Sequence, residues 1–201
     1  FENKFVRYFL DATPGLADLM CIGKVYATVD HYDLVIVDAP ATGHGISLLQ
    51  IASVVSRAVK IGPLKTHSDK IDQLLHAPNR TQMILVTLPE EMPTAETLET
   101  AAWLKKNGIP LGLVILNQFR KTSLSSDESR EFFSLPDKES QPSLKAMTLE
   151  LARAELSSYH RDQLSRELKG VRRIDLPFLY TTEFKLAEVQ KIADSLEQEL
   201  S

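Results

Sequence analysis

The sequence predicts an α/β protein whose core is a parallel, doubly wound sheet with flanking helices, and three observations carry that expectation. Short apolar runs rich in β-branched residues recur at 32–38, 82–88 and 112–116, as expected of strands buried on both faces. Between them lie segments long enough for helices, with apolar residues spaced by three and four. Strands alternating with helices of that length imply parallel crossovers.

Taken in order, residues 2–10 mix apolar and charged side chains, 11–14 offer a break with a helix-start signal, and 15–29 read as a helix. The first sharp strand signal is 32–38 (YDLVIVD), which ends in the carboxylate of Asp38 before Ala39 and Pro40. From 45 to 61, Ile46, Leu49, Ile51, Val54, Val55, Ala58 and Val59 recur at helical spacing, and Gly62-Pro63 stops that helix. A helix over 68–76 is broken by Pro78, and 82–88 (QMILVTL) is a second buried strand. A helix over 94–107, with Gly108 as its C-cap, leads to a third strand over 112–116 (GLVIL). Residues 119–142 depart from this rhythm; their Ser, Asp, Glu and Lys content reads as an exposed connection. A long charged helix follows over 143–168, so that 119–170 is an insertion within a single domain portion spanning 1–201. An ordinary packed face is the favoured reading of that helix, ahead of a partner-binding one. A last strand over 173–180 and a closing helix over 185–200 complete the chain.

Composition narrows the function. The 23 basic and 27 acidic residues give a net charge of -4 spread along the chain, so no basic face invites nucleic acid. Cys21 is the single cysteine, which excludes a disulfide framework or a multi-thiolate metal site within one chain and fits a reducing, cytoplasmic setting. No apolar run reaches the roughly 20 residues that cross a bilayer, so the chain is not expected to span one. Its opening at Phe1 rather than methionine reads as a portion of a longer protein.

A carboxylate at the C-terminal end of a buried parallel strand lies where open α/β sheets bind ligands, which singles out Asp38; a helix cap or a solvated loop residue are the alternatives. Asp38 opens the stretch Asp38-Ala39-Pro40-Ala41-Thr42-Gly43-His44-Gly45. This stretch resembles the DxAPTGH signature of arsenite-pump ATPases and of the targeting ATPases for tail-anchored membrane proteins. In the form DAPATGH it is most similar to the bacterial variant of that ArsA-like anion-transporting family. The resemblance implies a partial P-loop NTPase fold of the SIMIBI type, with ATP and Mg²⁺ as cofactors. It also implies that Asp38 ends the Walker B strand and helps hold Mg²⁺ through water, while Thr42, Gly43 and His44 belong to the switch loop that senses the γ-phosphate. Glycines in that loop free backbone N–H groups to approach an anion. His44 reads as a neutral side chain that fixes the turn, in preference to a general base.

Two further segments carry the resemblance. Residues 88–97 (LPEEMPTAET) are similar to the family's PExxxxxET segment, which implies that Glu90 and Glu96 lie near the nucleotide and a dimer interface. The alternative is helix-start electrostatics, since Thr94, Glu96 and Glu99 all favour a positive dipole end. In residues 114–118 (VILNQ) a strand delivers Asn117 to the sheet's ligand-binding edge, where the resemblance implies an adenine contact; a turn asparagine is the alternative. Pro177 and Phe178, at the end of the last strand, resemble the residues that flank the adenine ring on its other side.

The departures matter as much. No G-x-x-x-x-G-K-[ST] loop is present, and Gly23-Lys24 lacks the upstream glycine. Without that loop the triphosphate loses most of its binding determinants, so the 201-residue chain is expected not to hydrolyse ATP unaided, whereas a full-length protein would. One cysteine cannot build an arsenite site, and no CxxC pair exists for interchain zinc. Only residues 45–81 separate His44 from the next strand, and the chain holds four methionines, which argues against the Met-rich groove of the tail-targeting branch. The resemblance implies a second ATPase subunit, in a homo- or heterodimer, as a partner, with a membrane protein as a further partner class. The competing reading is a non-catalytic dimerisation or partner-binding module that has lost nucleotide binding. A different doubly wound protein ranks last, because no G-x-G-x-x-G occurs.

Overall fold

The computed structural model describes residues 15–121 and 141–200. The readings made for 2–14 and for most of the 119–142 connection lie outside them. Two compact units are formed, one by residues up to 82 together with 103–110, the other by 83–102 and the residues from 111 on.

The first unit is helical. Helix α1 (Leu16–Thr28) runs into a short 3-10 turn at Val29–His31, and α2 (Thr42–Ala58) and α3 (Pro63–His76) follow. Their apolar stripes supply a core of Leu19, Ile22, Leu48, Ala52, Ile71, Leu74 and Leu75, all buried. The start of α3 corrects the sequence reading of Gly62-Pro63 as a stop alone. Gly62, at φ 104°, reverses the chain, and Pro63 takes the first helical position, where its fixed φ suits the helix and its missing N–H costs nothing. Lys65 donates to Asp69 at 2.5 Å and to Ser56 at 3.1 Å, and Ser56 also bonds Asp69, tying α2 to α3. His76 closes the unit: its ring nitrogens lie 2.7 Å from the Asp72 carbonyl and 2.8 Å from that of Asn107.

The run at 32–38 is a second correction. It forms no strand: apart from Tyr32, whose backbone is extended (φ -138°, ψ 147°), it has no regular structure, no described strand pairs with it, and Leu34 is 75% and Ile36 84% exposed. Local propensity favours an extended backbone, but a buried parallel strand also needs a neighbour's ladder of hydrogen bonds and a covered face. The described residues supply neither to this segment.

The second unit holds the sheet: β1 (Met83–Thr87), β2 (Leu111–Phe119) and β3 (Arg172–Pro177), all parallel, in the order β1-β2-β3. Helix α4 (Glu91–Lys106) follows β1, with its residues to 102 in this unit, and α5 (Gln141–Glu167) precedes β3. Alternation along the strands sends Thr87, Val114, Leu116, Ile174 and Leu176 to a buried face, joined by Ala154 and Leu164 of α5 in the unit's core. On the opposite face of β1, Ile84 and Val86 are exposed. Helix α6 (Leu186–Leu200) packs on β3. The α/β class with a parallel sheet and flanking helices is thus as the sequence predicts. The last strand is shorter than the predicted 173–180: it stops at Pro177, which has no N–H to continue a ladder.

Candidate functional site

In the first unit the DAPATGHG stretch leads straight into a helix. Ala41 is extended (φ -62°, ψ 148°) and acts as N-cap, so Thr42, Gly43 and His44 form the first turn of α2 rather than a free loop. The backbone N–H groups of His44 and Gly45 donate to the Ala41 carbonyl at 3.2 and 3.5 Å. Asp38 is exposed just before this turn, and the His44 ring is exposed as well. The two glycines differ. A Cβ on Gly45 would lie 2.7 Å from the Pro40 carbonyl oxygen, so this glycine permits the close return of the chain. A Cβ on Gly43 would meet nothing within 4 Å. The chain's own packing therefore gives no reason for glycine at 43, at the amino end of a helix whose free N–H groups suit an anion.

In the second unit parallel pairing brings the C-terminal ends of all three strands to one edge, the edge where open α/β sheets take ligands. Glu90 lies just past β1 as the N-cap position of α4, its carbonyl accepting from Thr94 N–H at 3.0 Å. Its side chain and that of Glu96, in the second turn, are exposed, the placement that helix-start electrostatics also favours. Past Leu116, β2 bulges. Leu116 pairs with Asp175 and Phe119 with Pro177, so Asn117 and Gln118 together face the single residue Leu176. A bulge re-aims side chains at a strand end. Gln118, at φ 57°, is the single non-glycine residue with positive φ among those described, a conformation that costs on the order of 1 kcal/mol or more and gathers at functional sites. Its N–H donates to Asn117 Oδ1 at 2.9 Å. That bond fixes the amide: Oδ1 faces the main chain, and the Nδ2 donors are turned outward. Asn117 is half-buried, and Phe178 N–H donates to the Phe119 carbonyl at 2.9 Å, which holds Pro177 and Phe178 beside the bulge.

Sequence reasoning missed the cluster around Arg120. Its guanidinium lies over the Phe178 ring, 3.4 Å from the centroid, and donates to Glu150 at 2.8 Å. Glu150 also accepts from Arg153 at 2.7 Å and from the Tyr180 hydroxyl at 3.0 Å. Arg153, then the Tyr180 hydroxyl and the Arg120 charge, hold the Glu150 carboxyl below its ordinary range. The Arg120 N–H donates to the Oγ of buried Ser157 at 3.1 Å. An arginine three residues after a strand-end asparagine is visible in sequence; its partner Glu150, thirty residues on, is not.

Asp38, Thr42, Gly43 and His44 thus belong to the first unit, and Glu90, Glu96, Asn117, Pro177 and Phe178 to the second. The second brings Asn117, Pro177 and Phe178 together. No cluster of three or more metal-ligating side chains occurs among the described residues. A lone exposed carboxylate such as Asp38 suits a hard cation that keeps water and phosphate oxygens around it, as Mg²⁺ does, and not one that demands a protein cage. No described helix is long and apolar enough to cross a membrane.

The family model for anion-transporting ATPases matches residues 2–71 and 62–175. The ATPase BagA of Mycobacterium tuberculosis is 37% identical over 121 residues, covering 56% of this chain and 35% of its own length. The arsenical pump-driving ATPase of Escherichia coli is 38% identical over 86 residues, 41% of this chain and 15% of that protein. The ATPase GET3B of Arabidopsis thaliana is 22% identical over 195 residues, 79% of this chain and 47% of its own. The chain therefore spans less than half the length of each of these relatives.

Proposed function

Because this chain belongs to the anion-transporting ATPase family, we propose that it is the part of an ATP-binding and ATP-hydrolysing protein that reads the adenine base and carries the switch segment. The observation that carries the reading is the β2 bulge, where a strained Gln118 turns the Asn117 amide outward next to Phe178. Nδ2 donates to an acceptor nitrogen on the purine edge, and the second lone pair of Oδ1 accepts from the exocyclic amine, a pattern that favours adenine over guanine. The Pro177 ring supplies apolar cover for the base, and Phe178 backs the site from behind.

The Asp38 carboxylate would hold Mg²⁺ through its water shell, and Mg²⁺ when bound supplies charge neutralisation at the phosphates. Gly43, with open space where a Cβ would stand, leaves the α2 amino end accessible to a phosphate oxygen. Thr42, Gly43 and His44, as the first helical turn, are placed to wind or unwind with nucleotide state, which is how the energy of hydrolysis would reach a second ATPase subunit or a membrane-protein partner. Glu90 and Glu96 supply negative charge near the dimer contact. A cytoplasmic location suits these roles.

The test is Asp38→Asn in a protein that joins this chain to a phosphate-binding loop. Magnesium-dependent ATP turnover is expected to fall by roughly tenfold or more, the scale on which charge-stabilising groups act. Unchanged turnover would mean that Asp38 has no part in the chemistry, and the reading of the switch segment would fall with it.

A further inference from the structure

Resting on the adenine subsite proposed above, we propose that Arg120 is a specificity-determining residue of that subsite: its guanidinium plane, backed by the Phe178 ring, is the surface on which the nucleobase stacks. With Arg120 only 3.4 Å from the ring centroid, no planar ring fits between the two. A base that reaches this end of β3 either displaces Arg120 or lies on its outer face. The bonds of Arg120 decide between these. Its N–H groups lie in the guanidinium plane, so bonds to Glu150 at 2.8 Å and to the Tyr180 hydroxyl at 3.5 Å hold it by its edge; one face lies on Phe178, and 18% of the side chain stays exposed. Its backbone is held separately by Ser157. An arginine tied at the main chain, at one edge and on one face is costly to move and ready to stack.

Beside it opens a cavity of about 390 Å³, bordered by Arg120, Glu150, Phe178, Tyr180, Thr181 and Thr182. This space is wide open to solvent, so it gives room for a planar base without enclosing one. Charge points the same way. Among the described residues Glu150 takes ion pairs from both Arg120 and Arg153, two cations to one carboxylate, which favours an anionic ligand over a cationic one. A delocalised guanidinium stacks on aromatic rings and on nucleobases, as the ammonium of lysine cannot. The ligand class is therefore a purine nucleotide, with the larger purine ring preferred over a pyrimidine because it covers more of the plane.

The experiment is titration of the 201-residue chain with adenosine, followed by backbone amide shifts, for the wild type and for Arg120→Ala, Arg120→Lys and Asn117→Ala. Both Arg120 variants are expected to bind adenosine roughly fivefold or more weakly, the loss expected of one stacking contact, and the loss with cytidine is expected to be smaller. Lysine keeps the charge and the fold but not the plane, so wild-type affinity in Arg120→Lys overturns the proposal, as does equal or tighter binding by Arg120→Ala. If Asn117→Ala weakens binding while both Arg120 variants match the wild type, this proposal alone falls. If adenosine does not bind the wild type, or Asn117→Ala leaves binding unchanged, the subsite reading falls and takes this proposal with it.

Discussion

Gly43 and Gly45 stand two residues apart in the same helical turn, and replacing each with alanine is expected to move stability in opposite directions. Alanine is favoured over glycine in a helix by about 0.5–1 kcal/mol, because it loses less backbone entropy on folding. At Gly43 nothing lies within 4 Å of the new Cβ, so that gain is realised. At Gly45 the Cβ would stand 2.7 Å from the Pro40 carbonyl oxygen, a backbone atom that cannot swing aside. Relieving that overlap by shifting the main chain costs about 1–3 kcal/mol, as overpacking generally does, which offsets or outweighs the helical gain and leaves a net loss of up to about 2.5 kcal/mol. Thermal unfolding followed by the helical circular dichroism signal reads both changes, at about 2–4 °C per kcal/mol for a chain of this size. Gly43→Ala, although the more stable variant, is also expected to bind ATP more weakly in a protein that carries the phosphate-binding loop, since the added methyl intrudes where the phosphate approaches. Matching shifts in the two melting temperatures would refute the packing argument; unweakened ATP binding by Gly43→Ala would refute the role given to its open space.

Other expectations follow from the same geometry. Leu116→Ala, at a fully buried position of β2, is expected to cost about 2–5 kcal/mol in urea unfolding, whereas Ile36→Ser, at 84% exposure, is expected to stay within about 0.5 kcal/mol; a large loss at Ile36 would mean that the 32–38 segment is covered in solution. Gln118→Gly relieves the positive φ and is expected to leave stability unchanged or raise it by about 1 kcal/mol, with a clear loss arguing that the glutamine side chain, not its backbone, holds the bulge. Glu150 has a folded-state pKa held below its ordinary value of 4.5, with Arg153 the largest cause. Its contribution is therefore fully present above that value and is lost as pH falls through the lowered one. Glu150→Gln is expected to flatten the acid limb of a stability-against-pH curve, and an unchanged acid limb would count against the cluster.

Much of the fold is legible in the sequence wherever one segment supplies its own determinants. QMILVTL and GLVIL form strands because each has both the β-branched run and a neighbour to pair with in the described chain. YDLVIVD has the same composition and no such neighbour, so reading it as a buried strand asks local pattern to report a tertiary fact. Gly62-Pro63 marks a start more than a stop: α2 already ends at Ala58, and Pro63 takes the first position of α3, where its fixed φ suits the helix. At the site, the strand-end placement of Asn117 beside Pro177 and Phe178 follows from parallel pairing alone. The bulge that aims Asn117 could not be foreseen, because Gln118 is not a residue that announces a positive φ. Nor could the Arg120 platform, since the bond to Glu150 spans 30 residues and leaves no periodic trace. The DAPATGH segment was not legible as shape: Thr42, Gly43 and His44 were expected in a turn and form the first turn of a helix.

Adenine reading at the ends of β2 and β3 is put to the test by the map of amide shifts that adenosine produces in the ¹⁵N-labelled chain. The expected result is shifts centred on the Asn117 side-chain NH₂ and the backbone amides of Gln118, Arg120 and Phe178, with the Asn117 signals moving downfield as its Nδ2 donors gain an acceptor. Shifts centred elsewhere, or none at saturating adenosine, would contradict it.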